Sequence, residues 1–134
     1  MTSDNQVTAS KDTLYTKIGA AFIRAALTEF YQRAFSDMII GHFFFNKDIA
    51  QITAQQIDFA TGMLGGPRNY HGKSLGAAHH SLNLRRPHFG RRQVLMYEVL
   101  TGMGLDPELR DAWLELEEQL RGIVMPSAKV PCLR

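Results

Sequence analysis

Four residues in this chain could do more than pack: the adjacent imidazoles His79 and His80, the phenol Tyr31 and the amide Gln56. An imidazole offers a ring nitrogen to a metal or a proton, while a phenol and an amide offer hydrogen-bond donors to a polar guest. Gln56 interrupts the otherwise apolar helical stripe Ile49, Ile52, Phe59 and Met63. A dry, unpaired amide there would cost about 1 to 3 kcal/mol. Tyr31 lies on the inward side of a preceding helical stretch, where a buried phenol also needs a partner. Consecutive helix positions point about 100° apart, so His79 and His80 cannot share a role. His79 has Leu75, Ala78 and Leu82 around it on the apolar face, so it is the inward one of the pair. Each of these residues taken singly reads as an ordinary core side chain that has found a partner. Two donors on neighbouring helices together with an inward histidine also suit a pocket for a small polar guest.

The elements that position them are helical. Ile23, Leu27, Phe30 and Ala34 recur at helical spacing between about 12 and 36, with a bend at Gly19. The short apolar run Met38 to Phe45, interrupted by Gly41 and His42, predicts a tight helical corner. A third helix starts at Asp48 and stops at Gly65, Gly66 and Pro67. Residues 67 to 74 carry turn formers and predict a loop, followed by a short helix that includes His79. Pro87 opens a helix with Met96, Val99, Leu100 and Met103, ending near Gly104. Asp106 and Pro107 cap and start the last one, in which Leu109, Trp113, Leu116, Leu120 and Ile123 form one buried face. No segment alternates like a strand, so the fold is all-α, with loops too uneven for a plain up-down bundle.

Composition bounds the rest. A chain of 134 residues, 45% hydrophobic and 21% charged, fits one soluble domain, which should bury about 70% of its unfolded surface. The expected organisation is a flexible segment 1–10, a folded unit 11–125 and a flexible tail 126–134. A net charge of +2 gives too small a basic footprint for nucleic acid. Arg85, Arg86, Arg91 and Arg92 read as a solvated approach to a helix. The start of the chain has no basic or apolar signal pattern, and no stretch is long enough to span a bilayer, which reads as cytoplasmic. Cys132 is the single cysteine and implies neither disulfide nor metal site.

The combination Phe30-Tyr31, Phe43-Phe44-Phe45, Gln56, Leu64-Gly65-Gly66-Pro67, Tyr70, Gly72 and His79 resembles the truncated haemoglobins, in order and in spacing. The resemblance runs from about Leu14 to Ile123 and is strongest to the group with LGGP and YxG before the haem-binding helix. It implies a shortened globin fold, a 2-on-2 helical sandwich around one haem b. It makes His79 the iron ligand, Phe44 a ring packed on the porphyrin, and Tyr31 and Gln56 the distal donors. Ile52 would lie over the haem nearest its entrance, where many globins have a hydrogen-bonding histidine. Tyr70 joins the expected haem contacts. Lys73 is either a solvated loop lysine or, by resemblance, the partner of a haem propionate.

The implied function is binding or carriage of oxygen, with nitric oxide or carbon monoxide as further guests, at a pentacoordinate iron. A nitric oxide dioxygenase or peroxidase-like enzyme is the alternative. The chain has no dinucleotide-binding Gly-rich turn, so turnover would need a separate reductase. A cofactor-free all-α interaction module is the third reading. His42, His71, His80 and His88 leave open a second internal ligand to iron.

Overall fold

The structure, a computed structural model, describes residues 12–68 and 85–121. Within them the chain forms α1 (Leu14–Ile18), α2 (Ala20–Phe35), a 3-10 turn (Gly41–Phe44), α3 (Ile49–Met63), α4 (Arg86–Gly102) and α5 (Pro107–Gln119), with no strand among the described residues. The segments expected to be flexible, 1–10 and 126–134, lie outside the described residues. So do the expected loop with Tyr70 and Lys73 and the expected short helix with His79.

The helix boundaries follow local chemistry. Asp48 caps α3 by accepting from the backbone N–H groups of Ala50 at 3.0 Å and Gln51 at 3.3 Å. Asp106 accepts from Glu108 N–H at 2.9 Å, directly before Pro107 opens α5. The stop of α3 also joins two helices. Tyr15 N–H donates to Leu64 O at 2.8 Å, and a Cβ at Gly65, whose φ is +102°, would lie 2.7 Å from Thr13 Cβ. A side chain at Gly65 would therefore push the end of α3 off α1.

α2 is the central element. It packs on α1, α3, α4 and the 3-10 turn, while α5 covers α4 and α1. Ile23, Leu27, Phe30, Tyr31 and Ala34 of α2 are buried, together with Ile57, Ala60 and Leu64 at α3, Met96, Val99 and Leu100 of α4, and Trp113 of α5. No described helix is long and apolar enough to cross a membrane.

Two expectations from the sequence are corrected here. The stripe Ile49, Ile52, Gln56, Phe59, Met63 is half-buried, and the face of α3 that enters the core is instead Ile57, Ala60 and Leu64. The helix thus has two apolar faces, and only one packs fully on other described helices. The four arginines are not one solvated group either. Arg91 donates to Asp37 Oδ1 from Nε at 3.0 Å and from Nη2 at 2.8 Å. Arg92 donates from Nη1 to Glu117 Oε1 at 2.6 Å.

The Asp37–Arg91 pair ties the corner after α2 to α4. Asp37 Oδ2 also accepts from the backbone N–H groups of Ile39 at 3.0 Å and Ile40 at 3.1 Å. The Arg91 hydrogen bonds hold the Asp37 carboxyl below its ordinary range; burial opposes this and the two backbone donors assist it. A carboxylate with a lowered folded pKa stabilises the fold above its unfolded pKa, and that contribution is lost as pH falls through the folded value. Asp37→Asn should therefore lower the thermal midpoint at neutral pH. The gap to the unsubstituted protein should close as pH falls below about 4. Melting curves across pH test this, and a gap that persists or widens in acid would remove the ion pair as its cause.

Candidate functional site

Tyr31 lies near the C-terminal end of α2 with only 6% of its surface exposed. Its ring meets Phe44 edge-on at 6.0 Å between centroids. It meets Phe30 in the same manner at 4.8 Å. Phe44, in the 3-10 turn, stacks on Phe35 at 4.5 Å and 15°. The phenol is thus clamped between helix and corner, and both rotatable bonds of its side chain are restricted by aromatic walls.

Ile52 and Gln56 sit one turn apart on the half-buried face of α3. Ile49, Ile52 and Met63, with Phe43 and Phe44, pack at the margin of the core rather than inside it. Of the residues expected at a site, the structure brings Tyr31 and Phe44 into direct contact and sets Ile52 beside the same core. Gln56 is half-buried, which corrects the expectation of a buried amide. His79, Tyr70 and Lys73 fall outside the described residues.

Two histidines near the corner are described. His42 lies on Phe43 at 4.0 Å and faces His88 at 5.7 Å. His88 Nδ1 accepts from Arg85 N–H at 3.0 Å at the start of α4, which requires that nitrogen to be unprotonated. Burial first, then the charges of His42 and Arg85, push the His88 pKa down and favour that capping state.

Sequence reasoning missed a polar cluster behind Tyr31. Glu117, 5% exposed, is the one buried charged residue among those described. It accepts from Arg92 and, through Oε2, from Trp113 Nε1 at 2.9 Å. The Arg92 guanidinium also lies 4.8 Å over the Phe30 ring, a cation–π contact. Burial works against the Arg92 charge, but attraction to Glu117 and then to Tyr31 outweighs it, and its pKa stands above the ordinary value. The readable signal was spacing. Arg92 falls three after Phe89 and four before Met96, and Glu117 four after Trp113, so both charges interrupt buried stripes.

Residues 13–125 match the family described as bacterial-like globin. The chain belongs to that family. The Group 1 truncated haemoglobin of Tetrahymena pyriformis is 42% identical over 78 residues, which are 58% of this chain and 64% of that relative, just under two thirds of it. The ferric crystal structure of the Tetrahymena pyriformis truncated haemoglobin superposes with a TM-score of 0.80 at 32% identity, covering 84% of this chain and 97% of that one. That ciliate protein has also been solved with one tyrosine changed to phenylalanine and with each of two glutamines changed to glutamate. A Synechococcus 2/2 haemoglobin with covalently attached haem gives a TM-score of 0.80 at 30% identity, covering 85% of this chain and 98% of that one. The globin fold here is therefore the truncated, 2-on-2 form, and the family's cofactor is haem.

The described residues fit that cofactor. A porphyrin is a flat apolar plate with a polar centre and edge. The second apolar face of α3, with Phe43 and Phe44 of the corner, presents Ile, Met and Phe side chains that are only half-buried. They form an apolar wall of the kind such a plate covers.

Proposed function

We propose that this globin holds one haem b through His79 and binds a diatomic gas, oxygen above all, beside Tyr31 and Gln56. The observation that carries this reading is the match of nearly the whole folded chain to a solved truncated haemoglobin. The ciliate structures support the distal assignment. Their substituted glutamines follow the substituted tyrosine by 21 and 25 residues. In this chain Ile52 and Gln56 follow Tyr31 at the same two intervals.

Bound haem would supply an iron that the His79 imidazole would hold and that would bind the gas. The chain's residues do the rest. Phe44 and Ile52 contribute apolar wall, Tyr70 adds a further contact, and Lys73 pairs with a propionate at the edge. The Tyr31 hydroxyl and the Gln56 amide donate hydrogen bonds to the guest. Donation to a charged acceptor is worth about 1.5 to 3 kcal/mol. Oxygen carries more negative charge than carbon monoxide in such a pocket, so the two donors favour oxygen. Ile52 cannot donate, which leaves this selectivity to Tyr31 and Gln56. Nitric oxide and carbon monoxide are further guests of the same site. Catalytic turnover would draw on a separate reductase, and the setting is cytoplasmic.

The purified protein should show a Soret band with distinct ferric, deoxy ferrous and oxygenated spectra. Tyr31→Phe keeps the ring and removes the hydroxyl. It should raise the oxygen dissociation rate about tenfold or more while moving carbon monoxide far less. Gln56→Leu should act in the same direction, and the pair should be non-additive because both donors meet one guest. Failure to bind haem would overturn the reading outright. Equal changes for both gases would point to altered access past Ile52 and remove the hydrogen-bonding mechanism.

A further inference from the structure

The corner that carries Phe44 is fastened to α4 twice. One tie is the Asp37–Arg91 pair. The other is His88, in the first turn of α4, and its hold depends on its charge. Nδ1 of His88 accepts from the Arg85 backbone N–H at 3.0 Å and closes the start of the helix, as a glutamate or glutamine does at this position of a capping box. The same ring meets Phe43 edge-on at 4.8 Å and 83°, and His42 lies on Phe43 at 4.0 Å. Phe43 and Phe44 are neighbours in one 3-10 turn, so a shift of the first is carried to the second. Phe44 in turn stacks on Phe35 and walls Tyr31.

We propose that His88 is a positioning residue for the haem-facing corner and that its hold is proton-sensitive: unprotonated, it caps α4 and keeps Phe43 against the helix; protonated, it releases both, and oxygen leaves faster. A neutral imidazole that accepts at Nδ1 carries its hydrogen on Nε2, so the capped His88 has no lone pair left for a metal. Protonation sets Nδ1–H against the Arg85 N–H, donor against donor, and the cap is lost. It also places a cation in the first turn of a helix, where the macrodipole is positive. The surrounding charge acts in the same sense. Arg85, Arg86 and Arg91 stand on α4 itself, and His42 faces the ring from the corner at 5.7 Å. Asp37, the carboxylate of the corner, is already held by Arg91. Arg121, after α5, lies over the next ring, Phe89, with its charge met by Glu118. Burial first, and then the charges of His42 and Arg85, keep His88 neutral below the ordinary histidine range. Such a group supports the fold above its unfolded pKa, and that support is lost as pH falls through the folded value. The release therefore lies on the acid side of about 6.5. A loosened corner walls Tyr31 less firmly, and the guest beside Tyr31 with it.

This inference rests on the gas-binding reading of the same pocket, and the experiment keeps the two apart. The full chain is loaded with haem, and oxygen dissociation is followed from about pH 5 to about pH 8 in the unsubstituted protein, His88→Gln, His88→Ala and His42→Gln. Separately, nuclear magnetic resonance of the His88 ring nitrogens in the diamagnetic carbon monoxide complex reads tautomer and protonation without reference to gas release. The unsubstituted protein should release oxygen about two- to fivefold faster at the acid end. The midpoint of that step should match protonation of His88, with the Nε2–H tautomer above it. Glutamine offers an acceptor at the capping position and does not titrate, so His88→Gln should stay slow throughout and lose the step. His88→Ala should be fast throughout. His42→Gln removes one opposing charge, so the step should persist with its midpoint moved up. A step that survives unchanged in His88→Gln would overturn the proposal, because another group would then carry it. Release that ignores pH in the unsubstituted protein would also overturn it, while leaving gas binding in place. If His88→Ala fails to fold, the glutamine variant still decides. A chain that forms no oxygen complex would overturn the gas-binding reading and this inference with it.

Discussion

Replacing His79 by alanine should give a protein that no longer retains haem stably, or one whose pocket is refilled by added imidazole, whereas His80→Ala should keep its haem. The two histidines are neighbours, so any explanation based on local charge or composition treats them alike. Only helix geometry separates them. In the helix expected there from the sequence, a rotation of about 100° per residue would send one toward the apolar face of Leu75, Ala78 and Leu82, and the other away from it. Haem in a globin is held by one strong bond to iron and by apolar contact. Removing the bond leaves contact alone, and free imidazole restores the ligand without restoring its tether. Transfer of haem to an acceptor protein, followed at the Soret band, measures the loss. If His80→Ala lost haem and His79→Ala kept it, the helix would be rotated from this assignment.

How much of this was legible in the sequence depends on whether a signal is local. The caps at Asp48 and Asp106, the stops at Gly65 and Gly104 and the bend at Gly19 are local, because one residue type meets one backbone requirement. The core face of α2 was legible as well, since its stripe packs on neighbours along its whole length. The face of α3 was misjudged for a physical reason. This helix carries two apolar stripes, and hydrophobic periodicity cannot tell the one that meets other helices from the one that meets a cofactor. Gln56 marks the second stripe: a polar donor is tolerated there because that face does not close on the core. The cluster of Arg92, Glu117 and Trp113 was hidden for another reason. Arg92 was read with its neighbours as a solvated arginine and Glu117 was passed over, and although both interrupt buried stripes, it is the approach of α4 to α5 that shows them neutralising one another in the interior.

Trp113→Ala should destabilise the fold by about 3 to 5 kcal/mol through lost packing, the largest stability loss expected from any single change described. The indole is fully buried, and it is the one tryptophan in the chain. Its removal also takes away the N–H that Glu117 Oε2 accepts, and a buried acceptor that loses its donor costs about 1 to 3 kcal/mol more. Trp113→Phe separates the two contributions, because it keeps most of the ring contact and drops the N–H. Its loss should be clearly smaller than that of alanine, and the difference measures packing. Denaturant unfolding followed by far-ultraviolet circular dichroism suits both variants, since neither retains a tryptophan fluorophore. Unchanged stability in Trp113→Ala would mean that α5 presents a different face to α4. Equal losses in the two variants would place the cost in the hydrogen bond to Glu117 and not in the cavity.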